Sequence, residues 1–211
     1  MHIIAHRGLW ETREERNSEK AFIKALEHGF GIETDFRDFM GKVVVSHDPA
    51  IGAEKSFDDF CELYLKYGNG EVLALNIKAD GLQDMLLEAL KKHGINNYFV
   101  FDMSLPDMII YSQKKARIYS RLSEYEKTPL LYDEAEGIWL DCFVSDWATE
   151  DILEQILHNG KKICLVSPEL HGREHKGLWA RLKKSGVSKN ENIMICTDYP
   201  DEARSFFDDK D

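Results

Sequence analysis

Short apolar, β-rich segments alternate with amphipathic helical segments along the chain, and this alternation most limits the folds open to it. Helical segments with apolar residues at 3.6-residue spacing lie between most strands, and five of them stop at a glycine. Strands separated by helices favour a parallel sheet, and about eight such units favour a closed barrel. We therefore predict an α/β fold, a TIM-type (β/α)8 barrel. The predicted strands are 2–5, 31–35, 43–46, 72–77, 98–101, 116–120, 137–142, 162–166 and 192–197, of which 43–46 exceeds a simple count.

The length of 211 residues fits one domain spanning residues 1–211, and a hydrophobic fraction of 43% provides a sizeable core. The formal net charge of −11 argues against nucleic acid or an anionic membrane as a partner. An anionic ligand would therefore need a local cationic site. The oligomeric state is left open.

Membrane and targeting signals are missing from the sequence. No apolar run approaches the roughly 18 residues of a membrane span, and the N-terminus lacks a secretory pattern. The four cysteines are widely separated and form no zinc-binding pattern. We expect a cytoplasmic protein without stable membrane insertion, in which the thiols are reduced.

Polar residues follow the apolar strands, which is where ligands bind in barrels and open α/β sheets. Glu33 and Asp35 are two residues apart on a strand, so both side chains point to one face. Their mutual repulsion would be relieved by a hard divalent cation such as Mg²⁺ or Ca²⁺. The alternative is a pair of solvated carboxylates at a strand end.

Two histidines and two cations lie near these carboxylates. His6 and His47 each follow an apolar segment, and histidine is the side chain best suited to proton transfer at neutral pH. Arg7 can hold phosphate oxygens in a bidentate fork, and Lys78 can add a compact positive charge. The alternative for both cations is an ion pair with the nearby carboxylates.

Five ordered sequence blocks resemble the glycerophosphodiester phosphodiesterase family, within the phosphatidylinositol-specific phospholipase C-like phosphodiesterase superfamily. The resemblance runs from residue 3 to about residue 203. The blocks are A-H-R-G at 5–8, N-S-E-K-A-F at 17–22, G-I-E-T-D at 31–35, V-V-S-H-D-P at 44–49 and I-C-T-D-Y-P-D at 195–201.

This resemblance implies a TIM-type barrel, a substrate of the form alcohol–phosphate–alcohol and a place in lipid metabolism. It implies that His6 and His47 are the general acid and base and that Arg7 contacts the phosphate. It also implies that Glu33 and Asp35 are metal ligands. Glycerol is the usual alcohol in this family.

The chain departs from the family pattern at two site positions. Asn76 stands where the family's E-I-K motif has a glutamate, so a predicted third metal ligand offers a carbonyl oxygen without charge. A water or another acid such as Asp102 would then complete the ligand shell. Arg16 stands where the family has glutamate, which either redirects substrate recognition or repacks the first loop.

A third departure lies late in the chain, after the segment 162–166. The family's tryptophan-containing strand is replaced by C-L-V-S-P-E-L-H-G-R. We therefore expect Glu169, His171 and Arg173 to line the mouth of the barrel.

The sequence thus predicts a phosphoric diester hydrolase that depends on Mg²⁺ or Ca²⁺ and acts on a small glycerophosphodiester-like substrate. Arg7 and Lys78 would bind the substrate, and water or a neighbouring substrate hydroxyl would attack the phosphorus. One alternative is a weakened or inactive family member that binds a phosphorylated ligand, motivated by Asn76. Another is a metal hydrolase of non-phosphate esters, which Arg7 and Lys78 disfavour because they suit an anion.

Overall fold

The computed structural model describes residues 1–208, and the chain divides into two compact units. The N-terminal unit comprises residues 5–118, and the C-terminal unit comprises residues 1–4 together with the described residues from 119 to 208. The strand β1 (His2–His6) contributes residues to both units. The prediction of a single domain over residues 1–211 stays a prediction.

In the N-terminal unit, strands and helices alternate as predicted. The strand order is β5-β4-β2-β1, and β2, β4 and β5 are parallel neighbours. After β1 come α1 (Glu19–Glu27), β2 (Gly31–Phe39), β3 (Lys42–Val45), α2 (Phe57–Tyr67), β4 (Leu73–Ile77), α3 (Gln83–Lys92), β5 (Tyr98–Phe101) and α4 (Leu105–Gln113).

The C-terminal unit repeats this alternation. Its strand order is β9-β8-β7-β6, and these strands are parallel neighbours. Its elements are β6 (Tyr119–Leu122), β7 (Gly137–Leu140), α5 (Glu150–His158), β8 (Lys162–Val166), α6 (Lys176–Ser185), β9 (Ile193–Thr197) and α7 (Pro200–Asp208).

The additional apolar segment near residue 43 is the second strand of a hairpin. β3 pairs antiparallel with β2, with Phe36 opposite Val45 and Phe39 opposite Lys42. Met40 and Gly41 form the turn with φ angles of 47° and 76°, as the favoured two-residue hairpin turns require. β3 therefore lies outside the succession of parallel strands.

Helix α1 begins after a residue whose side chain accepts a backbone N–H of the first turn. Ser18 is the N-cap, because its Oγ accepts the backbone N–H of Ala21. The apolar face of α1 then packs Phe22 edge-to-face on Phe60 of α2, with ring centroids 5.0 Å apart. This packing holds α1 against α2.

Several predicted boundaries differ from the structure. The strand predicted at 116–120 begins at Tyr119, because the N–H of Ala116 still bonds to Tyr111 at the end of α4. The five helical segments that stop at a glycine in the sequence do not include α4 or α7. All four cysteines are buried, and within residues 1–208 none of them forms a disulfide. Among residues 1–208, no helix has the length and apolarity needed to cross a membrane.

Candidate active site

The end of β1 places His6 and Arg7 beside two carboxylates of β2. His6 is the last residue of β1, and its Nε2 lies 3.8 Å from Oε2 of Glu33. Arg7 adopts a left-handed backbone conformation with φ of 60°, and its N–H donates to the Glu33 carbonyl at 2.8 Å. Its Nε lies 3.1 Å from Oδ2 of Asp35. Each residue of this pair thus faces one carboxylate.

Both carboxylates are buried, which rules out the alternative of solvated strand-end acids. Glu33 is 1% exposed and Asp35 is fully buried. Burial raises the pKa of the Glu33 carboxyl, and the negative charge of Asp35 raises it further, against the opposing effect of His6. A buried carboxylate pair of this kind is a candidate functional site.

Asp35 is the centre of the polar network. In addition to Arg7, it contacts Lys78, with Nζ 3.6 Å from Oδ1, and it accepts a hydrogen bond from Asn17 Nδ2 at 3.0 Å. The Lys78 ammonium also lies 3.2 Å from Oδ2 of Asp102, which follows β5. The ion pairs considered as alternatives for Arg7 and Lys78 are therefore present, and they hold both cations at the carboxyl ends of the strands.

Asn76 lies directly beside this network on β4. It is opposite Asp35 in the register of β2 and β4, and its Nδ2 donates to Oε1 of Glu33 at 3.2 Å. This bond orients the amide, whose other polar atom is the carbonyl oxygen Oδ1. That oxygen is buried and has no hydrogen bond.

The three predicted metal ligands share one property. Each has a buried oxygen without a hydrogen bond, namely Oε2 of Glu33, Oδ1 of Asp35 and Oδ1 of Asn76. Carboxylate and amide oxygens are the donors that Mg²⁺ and Ca²⁺ prefer, so these residues fit a hard divalent cation. Within residues 1–208, no group of three or more His, Cys, Asp or Glu side chains could hold a metal ion. A cation here would therefore depend on the Asn76 amide or on water.

His47 has a different environment from His6. It follows the hairpin strand β3, its side chain is 44% exposed, and its Nδ1 lies 3.0 Å from Oδ1 of Asp48. Arg37 Nε donates to the His47 carbonyl at 3.1 Å and ties this loop to β2. His47 lines a cavity of about 630 Å³ that Arg7 also lines. Direct contacts thus join the other six predicted residues, whereas His47 reaches them through this shared cavity.

Asn17 also belongs to this network, although the sequence indicates it only as part of the block N-S-E-K-A-F at 17–22. Its amide bridges β2, donating to Asp35 and accepting the hydroxyl of Thr34 at 2.8 Å. Asn17 and Asp102 have φ angles of 58° and 74°. Together with Arg7, three non-glycine residues of this network therefore have a left-handed backbone conformation. Strained residues of this kind cluster at functional sites. Only the position of Asn17 in a family-like block could have indicated its role.

The residues expected at the mouth in the C-terminal unit have several partners there. Glu169 accepts hydrogen bonds from Ser167 Oγ and Thr197 Oγ1, both at 2.5 Å, and from the backbone N–H of Asp198 at 3.0 Å. His171 Nε2 lies 3.0 Å from the buried Asp141 carboxylate. Arg173 bonds to the carbonyl of residue 142 and to Asp146. These contacts connect the loops that follow β7, β8 and β9.

Solved structures share this fold over nearly the whole chain. A Galdieria sulphuraria protein provisionally named glycerophosphodiester phosphodiesterase is 16% identical, with a TM-score of 0.78 over 99% of this chain and 98% of its own. An Oleispira antarctica phosphodiesterase, solved with its product sn-glycerol-3-phosphate, is 15% identical with a TM-score of 0.67 over 99% and 97%.

A more distant likeness is to a Ca²⁺-dependent phosphatidylinositol-specific phospholipase C from Streptomyces antibioticus. It is 9% identical, with a TM-score of 0.57 over 98% of this chain and 95% of its own. No protein-family model and no curated protein matches the sequence. The likeness to the Galdieria sulphuraria structure confirms the predicted TIM-type barrel. At the level of fold, it also supports the resemblance to the glycerophosphodiester phosphodiesterases.

Proposed function

We propose that this chain is a phosphoric diester hydrolase that acts on small glycerophosphodiesters. The observation that carries the proposal is one polar network at the carboxyl ends of β1, β2 and β4, in which His6 contacts Glu33 and two cations contact Asp35. Ligands of barrel enzymes bind at these strand ends. The product bound to the Oleispira antarctica enzyme, sn-glycerol-3-phosphate, supports glycerol as one alcohol of the substrate.

In this mechanism, Arg7 and Lys78 bind the phosphate. Both are held in place by Asp35, so little side-chain freedom is lost when the substrate binds. The guanidinium offers a planar pair of donors to two phosphate oxygens, and the ammonium adds a point charge. Together they stabilise the charge that shifts onto the phosphate oxygens in the transition state.

His6 and His47 divide the proton transfers. One removes the proton from the attacking hydroxyl, and the other donates a proton to the departing alcohol oxygen. The attacking group is either water or a neighbouring hydroxyl of the substrate. Attack by the substrate hydroxyl releases a cyclic phosphate. Glu33 orients His6, since its Oε2 lies 3.8 Å from Nε2 of the imidazole.

Glu33, Asp35 and Asn76 would hold Mg²⁺ or Ca²⁺ through their buried oxygens. When bound, the cation supplies positive charge for the phosphate oxygens as a Lewis acid. The Ca²⁺ dependence of the Streptomyces antibioticus enzyme supports this assignment. We further propose a cytoplasmic role in the breakdown of lipid-derived diesters.

A diester panel with added Mg²⁺ or Ca²⁺ tests the proposal. We expect release of alcohol from at least one glycerophosphodiester, inhibition by EDTA, and a loss of about 10²-fold or more in His6→Ala and in His47→Ala. His158→Ala is the matched control, because His158 is exposed at the end of α5. Absence of turnover across the panel, with metal binding shown by calorimetry, would favour the alternative of a phosphate-binding protein without catalysis.

A further inference from the structure

The cavity beside Arg7 and His47 holds more positive charge than one phosphate requires. It is bordered by two loops of the N-terminal unit, the loop between β1 and α1 and the loop between β3 and α2. Arg13, Arg16 and Lys55 line it in addition to Arg7. The lining of this cavity of about 630 Å³ has four cationic and three acidic side chains, so it is locally cationic in a chain with a net charge of −11.

The acidic residues of this cavity already have partners. Glu54 accepts two backbone N–H groups of its own loop at 2.6 and 2.7 Å, and these bonds lower the pKa of its carboxyl. Glu19 lies 3.0 Å from Lys55, and Asp48 contacts His47. Glu54 therefore serves its own loop and Glu19 offsets the charge of Lys55, so the cationic character of the cavity comes from its three arginines.

Arg16 is oriented by an aromatic ring. Its guanidinium carbon lies 4.3 Å from the ring centroid of Trp10, and the Trp10 indole N–H donates to the His6 carbonyl at 2.9 Å. A guanidinium that stacks by its face keeps its N–H donors at the edge, where they can bind two oxygens of one anion. The loop thus fixes Arg16 relative to the backbone of His6.

Arg13 extends this cationic edge toward solvent. It begins the short 3₁₀ helix Arg13–Glu15, three residues before Arg16, and is exposed. Arg16 stands where the family resemblance leads one to expect glutamate, so the charge at this position is reversed.

We propose that Arg16 and Arg13 bind a second anionic group, a phosphomonoester, on the alcohol part of the substrate. This inference rests on the proposed function, since it extends the phosphate site at Arg7 to a second subsite in the same cavity. It assigns the substrate class as phosphodiesters in which one alcohol is itself phosphorylated.

Binding of two product-like probes tests the subsite without turnover. Isothermal titration calorimetry of the full chain would compare glycerol 3-phosphate with glycerol 1,3-bisphosphate. We expect the bisphosphate to bind at least about tenfold more tightly, because a charge-assisted contact contributes more than the 1.4 kcal/mol that tenfold represents.

The variants locate the second contact. Arg16→Gln should weaken bisphosphate binding about tenfold and leave glycerol 3-phosphate binding unchanged, and Arg13→Gln should act in the same direction with a smaller effect. Arg16→Lys keeps the charge and should restore part of the preference. Lys20→Gln is the control, since Lys20 pairs with Glu15 and does not line the cavity.

The outcomes separate this inference from the proposed function. Equal affinity for the two probes, or a preference unchanged in Arg16→Gln, would overturn the subsite even if diesters are hydrolysed. Conversely, a bisphosphate preference that depends on Arg16 would support the subsite even if every diester in the panel resists hydrolysis. Absence of binding by either probe would overturn it as well.

Discussion

The Glu169 carboxylate in the C-terminal unit and the Glu33 and Asp35 carboxylates in the N-terminal unit are all largely buried, but they differ in their hydrogen bonding. In the C-terminal unit, the Glu169 side chain is 7% exposed, and each of its oxygens accepts at least one hydrogen bond. In the N-terminal unit, Glu33 and Asp35 each retain a buried oxygen without a hydrogen bond. Burial of the carboxylate is common to both regions, whereas the hydrogen bonding of its oxygens differs between them.

This difference separates a structural acid from acids available to a ligand. Three hydrogen-bond donors compensate for the free-energy cost of burying the Glu169 carboxylate. These bonds connect the loops that follow β8 and β9. An unsatisfied buried oxygen costs about 1–3 kcal/mol, which a bound cation or substrate can recover. The comparison therefore predicts that substitution of Glu169 mainly changes stability, whereas substitution of Asp35 mainly changes activity.

The largest effect is expected for Asp35→Asn. Asp35 holds Arg7 and Lys78, so its neutral analogue should lower kcat/KM by at least about 100-fold, as loss of preorganised charge does in other enzymes. Steady-state kinetics on the best diester of the panel measures this. Asp84→Asn, on the exposed surface of α3, is the matched control. Near-native activity in Asp35→Asn would remove Asp35 from the active site.

Glu169→Leu should lower the free energy of unfolding by about 3 kcal/mol, because it leaves two hydroxyls and one backbone N–H without their acceptor. Urea titration followed by circular dichroism measures the change. Glu154→Leu, on the exposed surface of α5, should stay within about 0.5 kcal/mol of the parent. Equal stability of the two variants would contradict a structural role for Glu169.

Glu33→Gln is expected to stabilise the metal-free protein at neutral pH. The pKa of Glu33 is raised above the ordinary 4.5, so the folded state binds more protons than the unfolded state above that pH. The stability of the parent therefore falls as pH rises through the window above 4.5, and glutamine removes this loss. Thermal unfolding in EDTA should show a Tm advantage for the variant that is larger at pH 8 than at pH 4.5. A difference independent of pH would contradict the raised pKa.

The smallest effect concerns the thiols, which are buried in both units. Burial raises the pKa of Cys61 to about 12 and that of Cys142 to about 11, so the reactive thiolate is scarce. The native protein should not react with Ellman's reagent on a timescale of minutes. Four equivalents should react after unfolding in guanidinium chloride. Fast reaction of native thiols would show that the cores open readily.

The sequence predicts the parallel strands and the polar residues at their carboxyl ends, because the spacing of apolar residues and the end of each strand can be recognised from neighbouring residues alone. The pairing direction of β3 is not local, since an apolar segment does not specify its partner. The Glu169 network is also not predictable, since Thr197 lies 28 residues away in sequence from Glu169. Helix α4 is not among the five helical segments that stop at a glycine, and its apolar residues form no single stripe.

Left-handed backbone conformations at Arg7, Asn17 and Asp102 restrict how the site can evolve. Glycine would relieve the strain at each position, but it would remove the side chain that contacts Asp35 or Lys78. β-branched residues would increase the strain. A selection for thermal stability alone should therefore enrich glycine at these three positions, whereas a selection for turnover should retain the present residues.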